Sequence, residues 1–183
     1  NQFDIKKVYT NRDYSPYSIK RDLNIRKLLN ENGIEFFDFK DHVLFDKSEI
    51  VKDDGTPYKV YTPFSKKWIN KMNEQGVPNY PSENFIEKLF NNNNVFETES
   101  IGFTKSGINF LKIDTSNEII ENYESKRNFP SSNGTSKVGV QLRFGTISTR
   151  KLITKAHESN NNTYLKELIW REFFQQILYH FPR

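Results

Sequence analysis

Apolar and polar positions divide the chain into three stretches with different periodicities. The first opens with Ile5 to Thr10, a β-branched and aromatic run that predicts a short strand. Asn11 to Pro16 is polar and turn-forming. A helix is predicted from Tyr17 to Asn32, with Ile19, Leu23, Arg26 and Leu29 or Asn30 marking its turns. It stops at Asn32-Gly33, where glycine suits the left-handed position after a helix. Ile34 to Phe39 reads as a second strand. Strand, helix and strand at this length make one βαβ unit, which implies parallel pairing and a right-handed crossover. One unit is too little for a stable sheet, so residues 1–45 are expected to be the C-terminal part of a larger α/β domain.

The second stretch, residues 46–105, reads as a linker wrapped on the surface. Asp53-Asp54-Gly55-Thr56-Pro57 is a turn. Thr62-Pro63 predicts a helix start, a hydroxyl cap before a first-turn proline, with Trp68, Ile69 and Met72 following. On this helix Trp68 is expected to anchor the linker rather than to serve as a stacking platform. Gln75 to Ser82 is loop. Glu83 to Phe90 has room for two helical turns, and the tract Asn91–Asn94 ends them.

The third stretch, residues 106–183, is all-α by its pattern. Helices are predicted over Thr115–Lys126 and Lys137–Phe144, from Ser148 onward with Leu152, Ile153 and Ala156, and over Thr163–His180. At 100° per residue, the last helix gathers Tyr164, Glu167, Trp170, Arg171, Phe174 and Leu178 on one face. A second arc carries Leu165, Ile169, Phe173 and Ile177, while Lys166, Glu172, Gln175 and Gln176 form no single solvated stripe. Such a helix needs neighbours on several sides. Its mixed face admits a plain structural account, a Glu167–Arg171 ion pair at i,i+4 beside a core tryptophan. The fold class is therefore α/β plus all-α.

Composition narrows the chemistry. The chain has 183 residues, no cysteine, 35% hydrophobic and 15% aromatic residues, and a mean hydropathy of -0.78. Without cysteine there is no disulfide framework, thiolate metal site or cysteine nucleophile, which suits a cytoplasmic setting. No run reaches the ~20 apolar residues of a membrane span. His42, His157 and His180 lack ligand spacing, so no metal site is expected. The glycines form neither a dinucleotide fingerprint nor a Walker loop. Of the net charge of +4, residues 121–183 hold ten Lys/Arg against five Asp/Glu, and residues 1–120 seventeen against eighteen. A basic surplus late in the chain suits a polyanionic partner. Asn1 in place of Met and Arg183 directly after an apolar helix give both ends the look of cuts, and an internal piece of a longer protein is expected.

One set of motifs joins these features. Tyr123, Arg127-Asn128-Phe129-Pro130, Gly134-Thr135-Ser136, Leu142-Arg143-Phe144-Gly145, Ser148 and Glu167-Leu168-Ile169-Trp170-Arg171-Glu172-Phe173 occur in this order. So ordered and spaced, they resemble the first half of the flavin-binding region of the DNA photolyase/cryptochrome family. Thr62-Pro63-Phe64 and Asp13-Tyr14-Ser15-Pro16-Tyr17 to Arg21-Asp22 extend the resemblance through most of the chain. It is strongest to class I cyclobutane pyrimidine dimer photolyases. The implied architecture is the end of a Rossmann-like antenna domain (1–45), an interdomain linker (46–105) and the first helices of an all-helical FAD-binding domain (106–183).

The resemblance implies roles residue by residue. Tyr123 and Thr135, Ser136, Lys137, Val138 and Gly139 match positions that hold FAD around its phosphates, and Arg171 an arginine near those phosphates. Tyr164 stands where relatives often place tryptophan against the flavin. Glu167 and Trp170 match the pair that meets the damaged base, and Arg127 a residue facing the DNA backbone. A cyclobutane dimer stacks weakly and is flipped from the duplex at reduced cost. An indole gives it an apolar wall, and a protonated or hydrogen-bonding carboxyl can hold a thymine carbonyl or stabilise charge as an electron arrives. The implied activity is light-driven dimer splitting in UV-damaged DNA by a monomeric parent protein, with this piece alone expected to bind flavin weakly or not at all. Lys137-Val138-Gly139 departs from the usual Arg-Leu-Ser, which puts the Gly139 phosphate contact in question. The acidic residue of folate-using relatives is not evident, and the antenna pigment stays open. Two other classes fit the residues: a cryptochrome-type light sensor that signals without repair, and a cofactor-free nucleic-acid-binding module.

Overall fold

The computed structural model describes residues 4–89, 97–109 and 111–182. Its first unit is a parallel pair, β1 (Lys7–Asn11) with β2 (Glu35–Phe39), joined by α1 (Pro16–Glu31). Val8 pairs with Phe36 and Thr10 with Asp38. The Ser15 side chain accepts from the Ser18 amide, and Pro16 takes the first helical position, where its missing N–H removes nothing. Gly33, at φ 71°, makes the turn back. The predicted βαβ unit is therefore present, with every boundary but the end of β2 displaced by one or two residues. Only Ser18 of α1 is buried, and Leu23, Leu28, Tyr9 and Phe39 are exposed.

Residues 43–50 leave the sheet and enter the main core. Val43, Leu44, Phe45 and Ile50 are buried there. The junction is polar as well as apolar. Arg12 joins Asp38 (Nε to Oδ2, 2.5 Å) and Asp46, and the Tyr14 hydroxyl donates to Asp46 at 2.7 Å. Burial pushes the Tyr14 phenol far up, reinforced by the Asp46 carboxylate, so it remains a donor.

The surface-linker expectation for residues 46–105 holds only for part of that stretch. Helix α2 (Tyr61–Gln75) buries Phe64, Trp68 and Met72 and packs along the last helix. Its apolar residues recur at i, i+3, i+7 and i+11, counted from Tyr61. Its start also differs from expectation. Val60 holds the cap position without a side-chain bond, and Pro63 lies within the first turn, where amides lack helical partners anyway. Trp68 is fully enclosed and does anchor the segment. Ser82–Lys88 and Thr98–Ile101 are 3₁₀ turns with no buried residue. Phe90 and Asn91–Asn94 lie outside the described residues.

The helical part comprises α3 (Asn117–Glu121), α4 (Tyr123–Lys126), α5 (Gly139–Phe144), α6 (Thr149–Glu158) and α7 (Asn162–His180). The single helix expected over 115–126 breaks at Asn122, and α5 begins two residues later than Lys137. Ser116, Ser148 and Asn161 cap α3, α6 and α7 through their side chains. Helix α7 packs against both α2 and α6. Leu165, Leu168, Ile169 and Phe173 join Leu152, Ile153 and Ala156 of α6 and the α2 residues in one cluster.

At the centre stands Glu172, 1% exposed. One carboxylate oxygen accepts from the Leu44 amide (2.7 Å). The other accepts from the Phe45 amide (2.8 Å) and the Trp68 indole N–H (2.7 Å). Gln176, one turn on, donates to the Phe45 carbonyl at 3.1 Å. These two side chains tie the strand-exit segment and α2 to α7. Burial pushes the Glu172 carboxyl up to about 7, against the three hydrogen bonds and the Arg171 charge, which favour the anion.

Candidate functional site

The break at Asn122 turns Tyr123 onto α7. Its ring meets Tyr164 edge to face, with centroids 5.1 Å apart at 83°. The buried Tyr164 hydroxyl and Ser136 hydroxyl lie 2.7 Å apart. Burial raises the Tyr164 phenol and the Ser136 bond opposes the rise. On the other side of Tyr123, the Arg127 guanidinium lies 5.5 Å over the ring and forms an ion pair with Glu167. Ser136, Tyr164, Tyr123, Arg127 and Glu167 are thus one continuous run of contacts.

The turn between α4 and α5 is closely fitted. A Cβ on Gly134 would collide with the Lys126 Cβ and lie 2.9 Å from the Lys126 carbonyl oxygen, so glycine is required by close approach. From there the side chains alternate. Ser136 and Val138 are buried, whereas Thr135, Lys137 and Gly139 are exposed. Lys137 adopts a left-handed φ of 55°. The outward set is a hydroxyl, an ammonium and backbone amides, a donor chemistry matched to phosphate oxygens. Ser136 serves this set by fixing Tyr164 rather than by facing outward. No close neighbour surrounds a Cβ at Gly139, so sterics do not account for glycine there.

Trp170 lies one turn beyond Glu167. Its indole stacks face to face on Tyr61 of α2, with centroids 3.6 Å apart and planes at 4°. Phe174 stacks obliquely at 5.5 Å, and Phe173 meets it edge-on at 5.7 Å. The Tyr61 phenol is pushed up to about 12 by burial and then by the Glu167 charge. Tyr123 is raised by the same two causes in the same order. Glu167 therefore sits electrically between the two phenols.

Arg171 takes another direction. It donates to the carbonyls of His42 (2.5 Å) and Leu142 (3.2 Å), closing the carbonyl end of α5 against the strand-exit segment. Burial lowers its pKa, although a guanidinium stays charged at neutral pH. The Glu167–Arg171 ion pair offered by their spacing does not form; the carboxylate is held by Arg127. The structure thus groups Tyr123, Arg127, Ser136, Tyr164, Glu167 and Trp170, with Thr135, Lys137 and Gly139 on the adjoining turn. It assigns Arg171 a bracing contact.

Sequence reading passed over Tyr61 and Glu172. Tyr61 shares the apolar stripe of Phe64, Trp68 and Met72, which was a usable signal. Nothing in the helical period distinguishes a buried Glu172 from a solvated one. Two hollows lie away from this group. One of about 540 Å³ runs along α6 past Tyr80, Arg150, Lys151 and Lys155. The other, about 190 Å³, lies between α1 and Tyr179. Among the described residues, no group of His, Asp and Glu has the arrangement of a metal site, and no helix is long and apolar enough to cross a membrane.

The fold agrees with solved structures of known class. The DNA photolyase family profile matches residues 1–82. A deoxyribodipyrimidine photo-lyase of Synechococcus sp. is 30% identical over 210 residues, spanning 99% of this chain and 43% of that protein. The chain is similar to members of the DNA photolyase/cryptochrome family. Two crystal structures show the family fold. The class III photolyase from Agrobacterium tumefaciens superposes with a TM-score of 0.65 at 23% identity, covering 97% of this chain and 41% of that one. An archaeal photolyase from Sulfolobus tokodaii, described with two FAD molecules, gives 0.60 at 24%, covering 98% and 40%. The chain spans about two-fifths of the length of the family members it matches.

Proposed function

We propose that the polypeptide carrying this sequence is a light-dependent repair enzyme that splits cyclobutane pyrimidine dimers in UV-damaged DNA, with FAD as cofactor. One observation carries the reading. Glu167, paired with Arg127 from the end of α4, and Trp170 stand one turn apart on α7, which the turn with Thr135 and Lys137 outward joins through Ser136 and Tyr164. The donor set of that turn fits a diphosphate. Thr135, Lys137 and the Gly139 amide would hold it, and Tyr123 would border it. Bound, reduced and photoexcited, FAD would lend an electron to the dimer and take it back once the ring has opened.

The chain's own residues do the rest. Trp170 presents an apolar surface to a dimer that has lost base stacking. Glu167, fixed by Arg127, offers carboxylate oxygens to an imide N–H of the flipped base. Arg127 also adds a cation near the DNA backbone, which strengthens binding without reading sequence. Tyr164 and Ser136 lock the turn to α7, so that cofactor and base contacts keep one geometry.

The test is dimer reversal under blue light in the full natural polypeptide that carries these residues. Trp170→Ala and Glu167→Gln are expected to lower repair at least tenfold, roughly the loss of one good transition-state contact, with helical content unchanged. Full repair by both variants refutes the assignment. A wild type that binds FAD, responds to light and repairs nothing would place the protein among the signalling cryptochromes.

A further inference from the structure

We infer that Tyr61 is a positioning residue for damage recognition: it sets the plane of the Trp170 indole and so fixes the wall against which a flipped pyrimidine dimer rests. The inference deepens the reading above and rests on it.

The geometry is specific. The two rings are parallel within 4° and their centroids are 3.6 Å apart, closer than the 4.5–7 Å typical of aromatic pairs. One face of the indole is thereby covered by a neighbour from a different helix. Tyr61 is itself tied down at both ends. Its backbone begins α2, whose Phe64, Trp68 and Met72 are buried. Its hydroxyl donates to the Lys166 carbonyl at 3.0 Å, the α7 acceptor four residues before Trp170 and hence the helical partner of the Trp170 amide. The phenol therefore spans the same turn of α7 that carries the indole. Edge contacts from Phe173 to both Tyr61 (5.9 Å) and Trp170 (5.7 Å) close the group from below.

A half-buried tryptophan on a helix face ordinarily samples more than one rotamer. A flat contact on one ring face removes most of that freedom before ligand arrives. Preorganisation of this kind lowers the ordering cost of binding. It should act on the weakly stacked dimer and leave ordinary duplex binding, which is made through phosphates, unchanged.

The experiment compares affinities for a dimer-containing oligonucleotide and its undamaged twin, using the full natural polypeptide with Tyr61→Phe, Tyr61→Leu, Tyr61→Met and Trp170→Ala. Tyr61→Leu and Tyr61→Met are expected to reduce discrimination roughly three- to tenfold, the size of a lost aromatic pair. Tyr61→Phe, which keeps the stack, should restore discrimination to within about twofold of wild type. Undamaged-DNA affinity should not move in any of them. If Trp170→Ala abolishes discrimination while Leu and Met at position 61 leave it intact, this inference falls and the assignment of Trp170 stands. If Trp170→Ala itself keeps discrimination, the assignment of Trp170 falls first. Equal losses for damaged and undamaged DNA would reduce Tyr61 to a packing residue and overturn the inference.

Discussion

At the scale of single residues, two carboxyl groups are perturbed in opposite directions and set opposing pH windows. Burial pushes Glu172 up to about 7 in the fold, against 4.5 for a free side chain. A raised acid stabilises the fold fully below its unfolded pKa, and that contribution is lost as pH climbs through the folded value. At Asp13 burial also pushes upward, but the Arg143 bond and the Ser15 and Tyr14 amides outweigh it and hold the group at about 2. Its contribution is complete above its ordinary 3.8 and disappears as pH falls through 2. Between these limits, at about pH 4–5, both contributions are present. Unfolding measured from pH 3 to 8 should therefore show stability falling toward neutral pH in the wild type. Glu172→Gln should flatten that fall, since an amide does not titrate, and Asp13→Asn should leave it in place. An unchanged slope in Glu172→Gln would assign the dependence to other groups. Away from this window, glutamine is expected to cost about 1–3 kcal/mol, because its NH₂ meets a backbone donor, the Leu44 N–H in the better of its two orientations, where an acceptor is needed.

At the scale of elements, the question is how α7 is held, and the answer shows what a sequence conveys. The strands, α1 and α7 were legible from residue type and helical spacing, with Gly33 marking the end of α1 and Ser148 the start of α6, although spacing did not give burial, since Leu23 of α1 is exposed. The break at Asn122 was not legible, since Thr115 to Lys126 keeps an apolar period across it. The burial of α2 was legible only in part: the spacing of Tyr61, Phe64, Trp68 and Met72 was there to be read, but the composition is polar enough to pass for a surface helix until Phe64 is seen against Phe173. The site was half legible. Motif order picked out Glu167, Trp170 and Tyr123, yet the partner of each depends on tertiary packing: Arg127, Tyr61 and Tyr164 in turn. The Trp68–Glu172 bond between α2 and α7 makes a sharp test. Trp68→Phe keeps an aromatic ring against Phe45 but removes the indole N–H. It should destabilise by less than the ~3–5 kcal/mol of Trp68→Ala, which also opens a cavity. Combined with Glu172→Leu, which offers no acceptor, Trp68→Phe should cost less than the two single changes added together, because both remove one shared bond. Additivity in a denaturant titration of the four proteins would show that the bond contributes nothing of its own.

At the scale of the whole molecule, the proposed cofactor surface is one-sided. Thr135 and Lys137 point outward from the turn, Tyr123 is half-buried, and Arg171 is engaged with His42 and Leu142. Sites that hold a molecule the size of FAD enclose most of its surface. A face that supplies a few phosphate donors and the edge of one phenol leaves most of the isoalloxazine and adenine in water, where their burial contributes no hydrophobic free energy. The 183-residue chain by itself is therefore expected to bind FAD with a Kd no tighter than about 10 µM, that is, with less than about 7 kcal/mol. Such binding should weaken with salt, as phosphate contacts do. Flavin fluorescence titration of the purified chain measures this directly. Gly134→Ala refines the test, because its Cβ would run into Lys126 and shift the donors of the turn. Whatever weak affinity exists should fall further in that variant, and because Ser136 and Val138 tie the turn to α7 and its core, a lower melting temperature should accompany the loss. A chain that purifies yellow with stoichiometric flavin would mean that the residues present enclose the cofactor on their own, and the open-faced reading of the turn would have to be given up.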